Sequence, residues 1–276
     1  MRLNSSSHRN RAIRIGFFVV VFTLMALWEV AAPRRKQAVS RAARWPGNLG
    51  IAVLNTGLTR ILLPTATLGM AVLAAEQGWG LLQLFVLPVW LSVVISVVLL
   101  DLAIYSQHVV FHVLPPLWRV HRMHHADPGF DVTTGVRFHP IEILLSMLIK
   151  LGVIAALGSP VIAVLAFEVL LSATSIFNHG NVRIASGLER VLRWIIVTPD
   201  MHRVHHSTQM PETNSNFGFN LSCWDRLFGT YRARPASGHE AMRIGLSQFR
   251  TRRDLRLDRL LLQPFVPEQH GRHMSH

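Results

Sequence analysis

Long runs of apolar residues follow one another through the first 177 positions of the chain. These runs cover residues 15–32, 49–75, 81–104 and 141–177, and short polar stretches separate them. An α-helix rises 1.5 Å per residue, so about 20 apolar residues cross a hydrocarbon core of about 30 Å. The pattern therefore predicts an all-α protein with about four hydrophobic membrane segments.

The fourth run is divided by Gly158-Ser159-Pro160, a strong turn signal. Its first part, residues 141–157, spans only roughly 25 Å as a helix and contains Lys150. We expect a helical hairpin that enters the membrane and returns to the same side. This return would bring the last histidines of the chain to the face that carries the first ones.

The two ends of the chain are more polar. We interpret residues 1–14 as an N-terminal tail, residues 15–235 as the membrane-embedded domain, and residues 236–276 as a C-terminal cap and tail. Leucines between 255 and 262 alternate with arginines, which is typical of an amphipathic helix on a membrane surface. Packing of these leucines against the cap is an equally good interpretation.

Charge and composition favour a membrane protein. Only 16% of the residues are charged, and the net charge is +13, whereas soluble domains are about 25% charged. The arginines flank the apolar runs and form no separate soluble face. Attraction to anionic lipid head groups therefore explains them better than binding to nucleic acid does. The single cysteine, Cys223, excludes an intrachain disulfide framework and a Cys-ligated iron–sulfur cluster.

Loop charges predict an orientation. The 33–44 loop is rich in arginine and the 76–80 turn has no basic residue, so the positive-inside rule places the loop and the chain after Ile104 in the cytoplasm. The arginines within residues 1–14 conflict with a single crossing at 15–32. That first segment either lies in the interface or re-enters the membrane.

Histidines form three clusters. The spacing is H-x-x-x-H at 108–112 and H-x-x-H-H at both 121–125 and 202–206, and ten of the fifteen histidines lie between His108 and His206. On a helix, positions i, i+3 and i+4 share one face, so each cluster can direct two or three imidazoles at one point. Neutral imidazole is the commonest side-chain metal ligand. The pattern predicts a site that holds more than one metal ion.

The first cluster continues a polar stripe. Asp101 and Tyr105 precede His108 and His112 at offsets that place all four along one side of a helix. An aspartate near the end of an apolar helix is costly without a partner. We expect that partner to be the ring N–H of His108 or of a histidine from another segment. The alternative is a helix-end charge that reaches water.

The motifs resemble those of the fatty acid hydroxylase/sterol desaturase superfamily of integral-membrane di-iron oxygenases. The similarity covers roughly residues 48–235, and the first box departs from the family pattern because it lacks the arginine often found after His108. The matching segments are Asp101–His112, His121–His125, Arg137–Glu142, Asn178–Asn181, Pro199–Ser207, Asn216–Gly218 and Trp224–Tyr231.

The resemblance implies O₂-dependent hydroxylation or desaturation of an aliphatic C–H bond in a lipid by two iron ions. It also implies a cytoplasmic helical cap that holds the histidine-rich dimetal site. Asp101, Tyr105 and Asn216 would support the site as candidate catalytic residues. His139, in a loop, is equally compatible with a structural hydrogen-bonding role. The implied ligands are His108, His112, His121, His124, His125, His139, His179, His202, His205 and His206.

Electrons must come from another protein. The sequence has no G-x-G-x-x-G motif after a strand, no P-loop and no fused haem-carrier signature. The resemblance implies a ferredoxin- or cytochrome-type donor, and an acidic carrier would suit the arginine-rich cap.

Two other classes remain open at this stage. A zinc hydrolase would need a carboxylate base, for which Glu142 and Glu168 are the nearby candidates. A histidine-lined metal transporter is disfavoured because its site would interrupt the apolar runs near their middle, and these clusters follow the runs.

Overall fold

The computed structural model describes residues 2–63 and 66–268, and the fold is helical throughout these ranges. Within them β-structure is limited to three isolated bridges. The helices are α1 (Arg2–Ala31), α2 (Arg41–Leu62), α3 (Ala66–Glu76), α4 (Val89–Val113), α5 (Pro115–His125), α6 (Pro140–Leu157), α7 (Val161–Asn178), α8 (Ser186–Leu192), α9 (Pro199–His205), α10 (Met210–Thr213), α11 (Cys223–Leu227), α12 (Gly238–Ala241) and α13 (Leu257–Leu262).

The expected all-α architecture with several apolar helices is confirmed. Among the described residues, five segments are long and apolar enough to cross a membrane, where the sequence predicts about four. The two arms of the hairpin qualify separately, which accounts for the difference. The segments are Ile13–Ala31, Arg41–Leu84, Val89–Val113, Pro140–Leu157 and Val161–Asn178. Helix α1 begins at Arg2, so the polar residues before the first apolar run extend the same helix.

The helical hairpin is formed by α6 and α7. Gly158 closes α6 with a φ of +66°, a backbone conformation that glycine adopts at little cost. A Cβ atom at this position would lie 2.3 Å from the carbonyl oxygen of Trp79. The turn therefore requires glycine for two reasons, its backbone angle and its lack of a side chain.

Apolar contacts pack the long helices around this hairpin. Ile104 of α4, Ile154 of α6 and Phe167 of α7 form one buried cluster. Met25 of α1 packs against Ile176 of α7 in a second cluster. These contacts hold the C-terminal end of α4 and the two arms of the hairpin together.

A buried ion pair fixes the loop that follows α5. Arg44 of α2 donates to both carboxylate oxygens of Asp127, at 2.6 and 2.9 Å, and to Asp131 at 2.7 Å. All three side chains are fully buried. Burial acts to raise the pKa of Asp127, but the charge of Arg44 outweighs it and the pKa lies well below its usual range. The loop between the second histidine cluster and α6 is thereby tied to α2.

The C-terminal leucines pack inward. Leu260 of α13 is fully buried against Ile51 of α2 and Met123 of α5. Of the two interpretations of this segment, the structure shows packing against the rest of the protein. Residues 269–276 of the predicted C-terminal tail lie outside the described residues, and the boundaries of the three predicted regions stay predictions.

The hairpin turn can be tested with two glycines of the same hairpin. Gly158→Ala places an alanine at a positive φ, which costs about 1–3 kcal/mol, and the clash with Trp79 adds to this. Gly152→Ala, in the interior of α6 where a Cβ would meet nothing within 4 Å, should instead stabilise the helix by up to about 1 kcal/mol. Thermal unfolding in detergent measures both. Equal unfolding temperatures for the two variants would contradict this turn.

Candidate metal centre

Nine histidines from four segments form two adjoining groups. In each group, one nitrogen from every ring lies within 4.8 Å of the nitrogens of the others. The first group contains His108, His112, His121, His125 and His205, and the second contains His124, His179, His202 and His206. The hairpin contributes by returning His179 to the end of the molecule where α4 terminates.

The rings of each H-x-x-H-H cluster divide between the two groups. The spacing alone would allow up to three rings of a cluster to point at one site. His121 and His125 belong to the first group and His124 to the second. His202 and His206 belong to the second group and His205 to the first. The cause is helical geometry, because positions i and i+4 nearly superpose whereas i+3 and i+4 differ by about 100° around the axis.

Backbone carbonyls fix the proton on four of these rings. The Nδ1 atoms of His108 and His205 lie 2.8 Å from the carbonyl oxygens of Phe217 and Ser215. His124 Nδ1 lies 3.1 Å from the carbonyl of Arg137, and His179 Nδ1 lies 2.7 Å from that of Ser175. A carbonyl only accepts, so each Nδ1 carries the hydrogen and each neutral ring has a lone pair on Nε2.

These lone pairs face each other. His108 Nε2 lies 3.0 Å from His205 Nε2, and His124 Nε2 lies 3.1 Å from His179 Nε2. Two acceptors at this distance share no proton and repel one another. A cation between them removes the repulsion, because each lone pair then has a partner.

The donor set and spacing fit metal ions. An imidazole nitrogen binds zinc at about 2.0–2.1 Å, so two ligands at that distance lie about 3.0 Å apart at a right angle and about 3.4 Å apart at the tetrahedral angle. Among the residues that the structure describes, neither nitrogen of the buried His206 ring has a hydrogen-bond partner, and the same holds for His112 Nε2. Unsatisfied buried polar atoms are costly, and a bound ion would satisfy them.

Burial favours the uncharged form of six of the rings. Burial, followed by the neighbouring imidazoles, lowers the pKa of five rings outside the apolar helices well below the usual value. These are His124, His125, His202, His205 and His206. Burial also lowers the pKa of His179 to about 3. Neutral imidazole is the form that binds metal, so the groups are ready to bind ions at neutral pH.

Glu142 orients a ring of the first group. Its Oε1 lies 2.6 Å from His121 Nδ1, while its Oε2 has no hydrogen-bond partner in the described part of the chain. Carboxylates commonly hold a ligating imidazole in this way. Glu142 was predicted only as a candidate base of a hydrolase, and its place in the Arg137–Glu142 motif was the available signal for this contact.

His139 lies outside both groups. It caps α6, where its Nδ1 accepts from the backbone N–H of Ile141 at 3.2 Å. Its Nε2 lies 3.2 Å from the carbonyl of Leu261. Both contacts are those of a structural hydrogen-bonding residue. This role and metal ligation were equally compatible with the sequence.

Asp101 makes contacts different from those expected. Its carboxylate accepts from Trp224 Nε1 at 2.9 Å and from the backbone N–H groups of Asn220 and Leu221 at 3.3 and 3.1 Å. The expected bond to a ring N–H is wrong, because the turn at 220–224 supplies donors that need an acceptor. Four of the ring N–H groups bond to backbone carbonyls instead, and the carboxylate beside His121 is that of Glu142.

Tyr105 and Asn216 also act at a distance from the rings. The Tyr105 hydroxyl lies 2.9 Å from Thr230 Oγ1, and its ring stacks on Phe228. Asn216 has a φ of 53° and its amide bonds to the backbone of Met201 and Arg232. Asn216 thereby shapes segment 214–217.

Segment 214–217 overlaps the matching motif Asn216–Gly218, but its role as an acceptor for the rings was not predicted. It supplies the acceptor for three rings of the first group through Asn214 Oδ1, which lies 3.3 Å from His112, and through the carbonyls of Ser215 and Phe217. Asp225 holds it by accepting from the N–H groups of Phe217 and Gly218. Backbone acceptors leave no residue-type signal, so sequence reasoning had little with which to find them.

A cavity of about 430 Å³ opens onto the rings. His108 and His121 of the first group and His124 of the second line one part of it, and the remaining walls are mainly apolar side chains of α1, α2, α4, α6 and α7.

Comparisons with known proteins place this arrangement in context. Over 148 residues, or 54% of the chain, it is 32% identical to an ornithine lipid hydroxylase of Rhizobium tropici. It is 27% identical over 194 residues, or 67% of the chain, to the alkylglycerol monooxygenase of Xenopus tropicalis, and 28% identical over 164 residues, or 56% of the chain, to the human alkylglycerol monooxygenase. The aligned parts amount to 44%, 41% and 34% of these relatives, so the chain spans less than half of their length.

No solved structure matches the chain. The fatty acid hydroxylase family model matches residues 93–230, which include all nine grouped histidines and the Asp101 and Asp225 anchors. On this match over half of its length, the chain belongs to the fatty acid hydroxylase family.

Proposed function

We propose that this protein is a membrane di-iron enzyme that uses O₂ to oxidise an aliphatic C–H bond of a lipid, by hydroxylation or desaturation. The observation that carries the proposal is the cavity that joins both histidine groups to apolar helices. Its volume of about 430 Å³ lies in the usual range for small-molecule sites. A hydrocarbon chain can therefore reach the rings between apolar walls.

The protein's own contribution is positioning. An aliphatic C–H bond offers no acid, base or carbonyl group to act on, so a rate gain depends on holding the chain against the oxidant. Phe111 and Phe138 line the cavity beside the rings, and Phe138 stacks on His124 with ring centroids 4.4 Å apart. Two iron ions bound by the two groups would supply the oxygen activation.

The relatives support a lipid substrate. One is named for hydroxylating an ornithine lipid and two for oxygenating alkylglycerols. The family and the five apolar segments indicate an integral membrane protein. By the loop charges, we place the active site on the cytoplasmic side.

Zinc hydrolysis and metal transport remain the competing functions. Reductant-dependent O₂ uptake by the iron-loaded protein separates oxidation from both. A hydrolase would need neither O₂ nor a reductant, and a transporter would move its ion across a vesicle membrane.

The proposed chemistry predicts a defined mass change. Cells that express the gene should contain a lipid that has gained one oxygen atom, or lost two hydrogens, relative to cells without it. Under ¹⁸O₂, a hydroxylated product should carry the heavy isotope. Lipid mass spectrometry measures both, and incorporation of oxygen from H₂¹⁸O instead would count against an oxygenase.

Loss of one ring of the second group should remove metal selectively. His206→Ala breaks no hydrogen bond to the protein, so the fold should survive while one of two ions is lost. Activity should fall by at least about 100-fold, since loss of an outer partner alone costs 10–100-fold. His239→Ala, at a histidine outside both groups, is the matched control. Metal content and turnover are measured for both variants and for the wild-type protein. Full metal content in His206→Ala would exclude His206 as a ligand.

An external acidic electron carrier should make turnover sensitive to salt. Arginines of the 232–259 region would attract it, and this attraction weakens as ions screen the charges. Turnover with a reduced ferredoxin should fall as ionic strength rises, while turnover with a small uncharged reductant should not. Equal salt dependence for the two reductants would contradict docking by charge.

A further inference from the structure

Three ionisable side chains of the apolar helices line the cavity at a distance from the histidines. They are Arg14 of α1, Lys150 of α6 and Glu168 of α7, and all three line the cavity that reaches the rings. Ionisable residues inside apolar helices are costly, and they commonly mark the path or site of a substrate. The metal centre makes no use of these three.

The three residues differ in whether their charged groups have a partner in the described part of the chain. Glu168 is satisfied, since its Oε2 pairs with Arg14 and its Oε1 accepts from Thr67 Oγ1 at 2.8 Å. Lys150 has no hydrogen bond or ion pair with any side chain of residues 13–63 and 66–268 that the structure describes. Lys150 lines the cavity, and its ammonium group has three N–H donors.

The positive charges exceed the negative ones at the end of the cavity away from the rings. Arg14 and Glu168 form an ion pair there, and the carboxylate of Glu142, which also lines the cavity, is held at the opposite end by His121. Lys150 therefore contributes a positive charge that the Arg14–Glu168 pair does not cancel. An ammonium group in such surroundings is stabilised by an anion that donor groups can contact directly. A ligand with one negative charge and a long apolar chain complements both features.

We propose that Lys150, next to the Arg14–Glu168 pair, binds the single anionic head group of an amphiphilic substrate whose chain extends toward the histidines. The inference rests on the proposed function, because it assigns the substrate class of the same cavity. Lys150 is a specificity-determining residue in this assignment, and uncharged lipids of equal length bind more weakly.

The position of Lys150 along α6 adds a constraint on the product. Lys150 follows Glu142 by eight residues, which is about 12 Å along the helix axis, and Glu142 contacts His121. The oxidised carbon therefore lies well along the chain and is not adjacent to the anionic group.

The test measures binding, so it does not depend on iron, O₂ or an electron donor. The full-length protein in nanodiscs of uncharged lipid is titrated with radiolabelled hexadecanoate, hexadecyl phosphate and hexadecan-1-ol, which share one chain. The variants are Lys150→Met, which keeps the length but removes the charge, and Lys150→Arg, which keeps the charge. Lys36→Met is the matched control at the only other lysine of the chain, in an exposed loop.

The wild-type protein should bind at least one of the two anions about 10-fold or more tightly than the alcohol, the difference expected of a charged hydrogen bond. Lys150→Met should abolish that preference while its affinity for the alcohol stays unchanged, which also shows that the variant is folded. Lys150→Arg should restore the preference, and Lys36→Met should leave it intact. The anion that is preferred identifies the head group as a carboxylate or a phosphate.

The inference is overturned if the wild type binds all three probes equally, or if Lys150→Met keeps the preference for an anion. Failure of the proposed function gives a different result, in which anion selectivity depends on Lys150 but no lipid is oxidised. Lipid oxidation without anion selectivity would leave the function standing and remove only this assignment.

Discussion

Two pairs of imidazole nitrogens face one another with a lone pair on each side, and this constraint governs the structure of the site. His108 and His205 form one pair and His124 and His179 the other. Their protons are committed to carbonyl oxygens on the opposite side of each ring. A cation between the two rings of a pair would remove their repulsion, so this arrangement suits a site that binds metal.

The surrounding structure keeps the acceptors in place. Segment 214–217 lies against the first group, and Asp225 and Asn216 hold its backbone. Asp101 anchors the adjoining turn through Trp224. The Arg44 ion pairs fix the loop whose Arg137 carbonyl serves His124. A buried pair of this kind costs about 3–5 kcal/mol to break, so these outer contacts protect the ring orientations from thermal disorder.

The features that depend on local periodicity could be predicted from the sequence. The spacing of the histidines identified the three clusters, and Gly158 with Pro160 marked the hairpin turn. The spacing allows each H-x-x-H-H cluster to divide in this way, but which rings of α4, α5 and α9 meet in one group could not be derived, because it depends on how these helices are rotated relative to each other. The partner of Asp101 was assigned incorrectly, since backbone N–H groups from residues about 120 positions away have no signature in composition or spacing.

The most direct test is to locate iron in the loaded protein by anomalous diffraction at its absorption edge. Two iron positions are predicted in each chain. One should lie among the nitrogens of His108, His112, His121, His125 and His205, and the other among those of His124, His179, His202 and His206. A single iron position, or iron outside these two groups in an active preparation, would contradict the account.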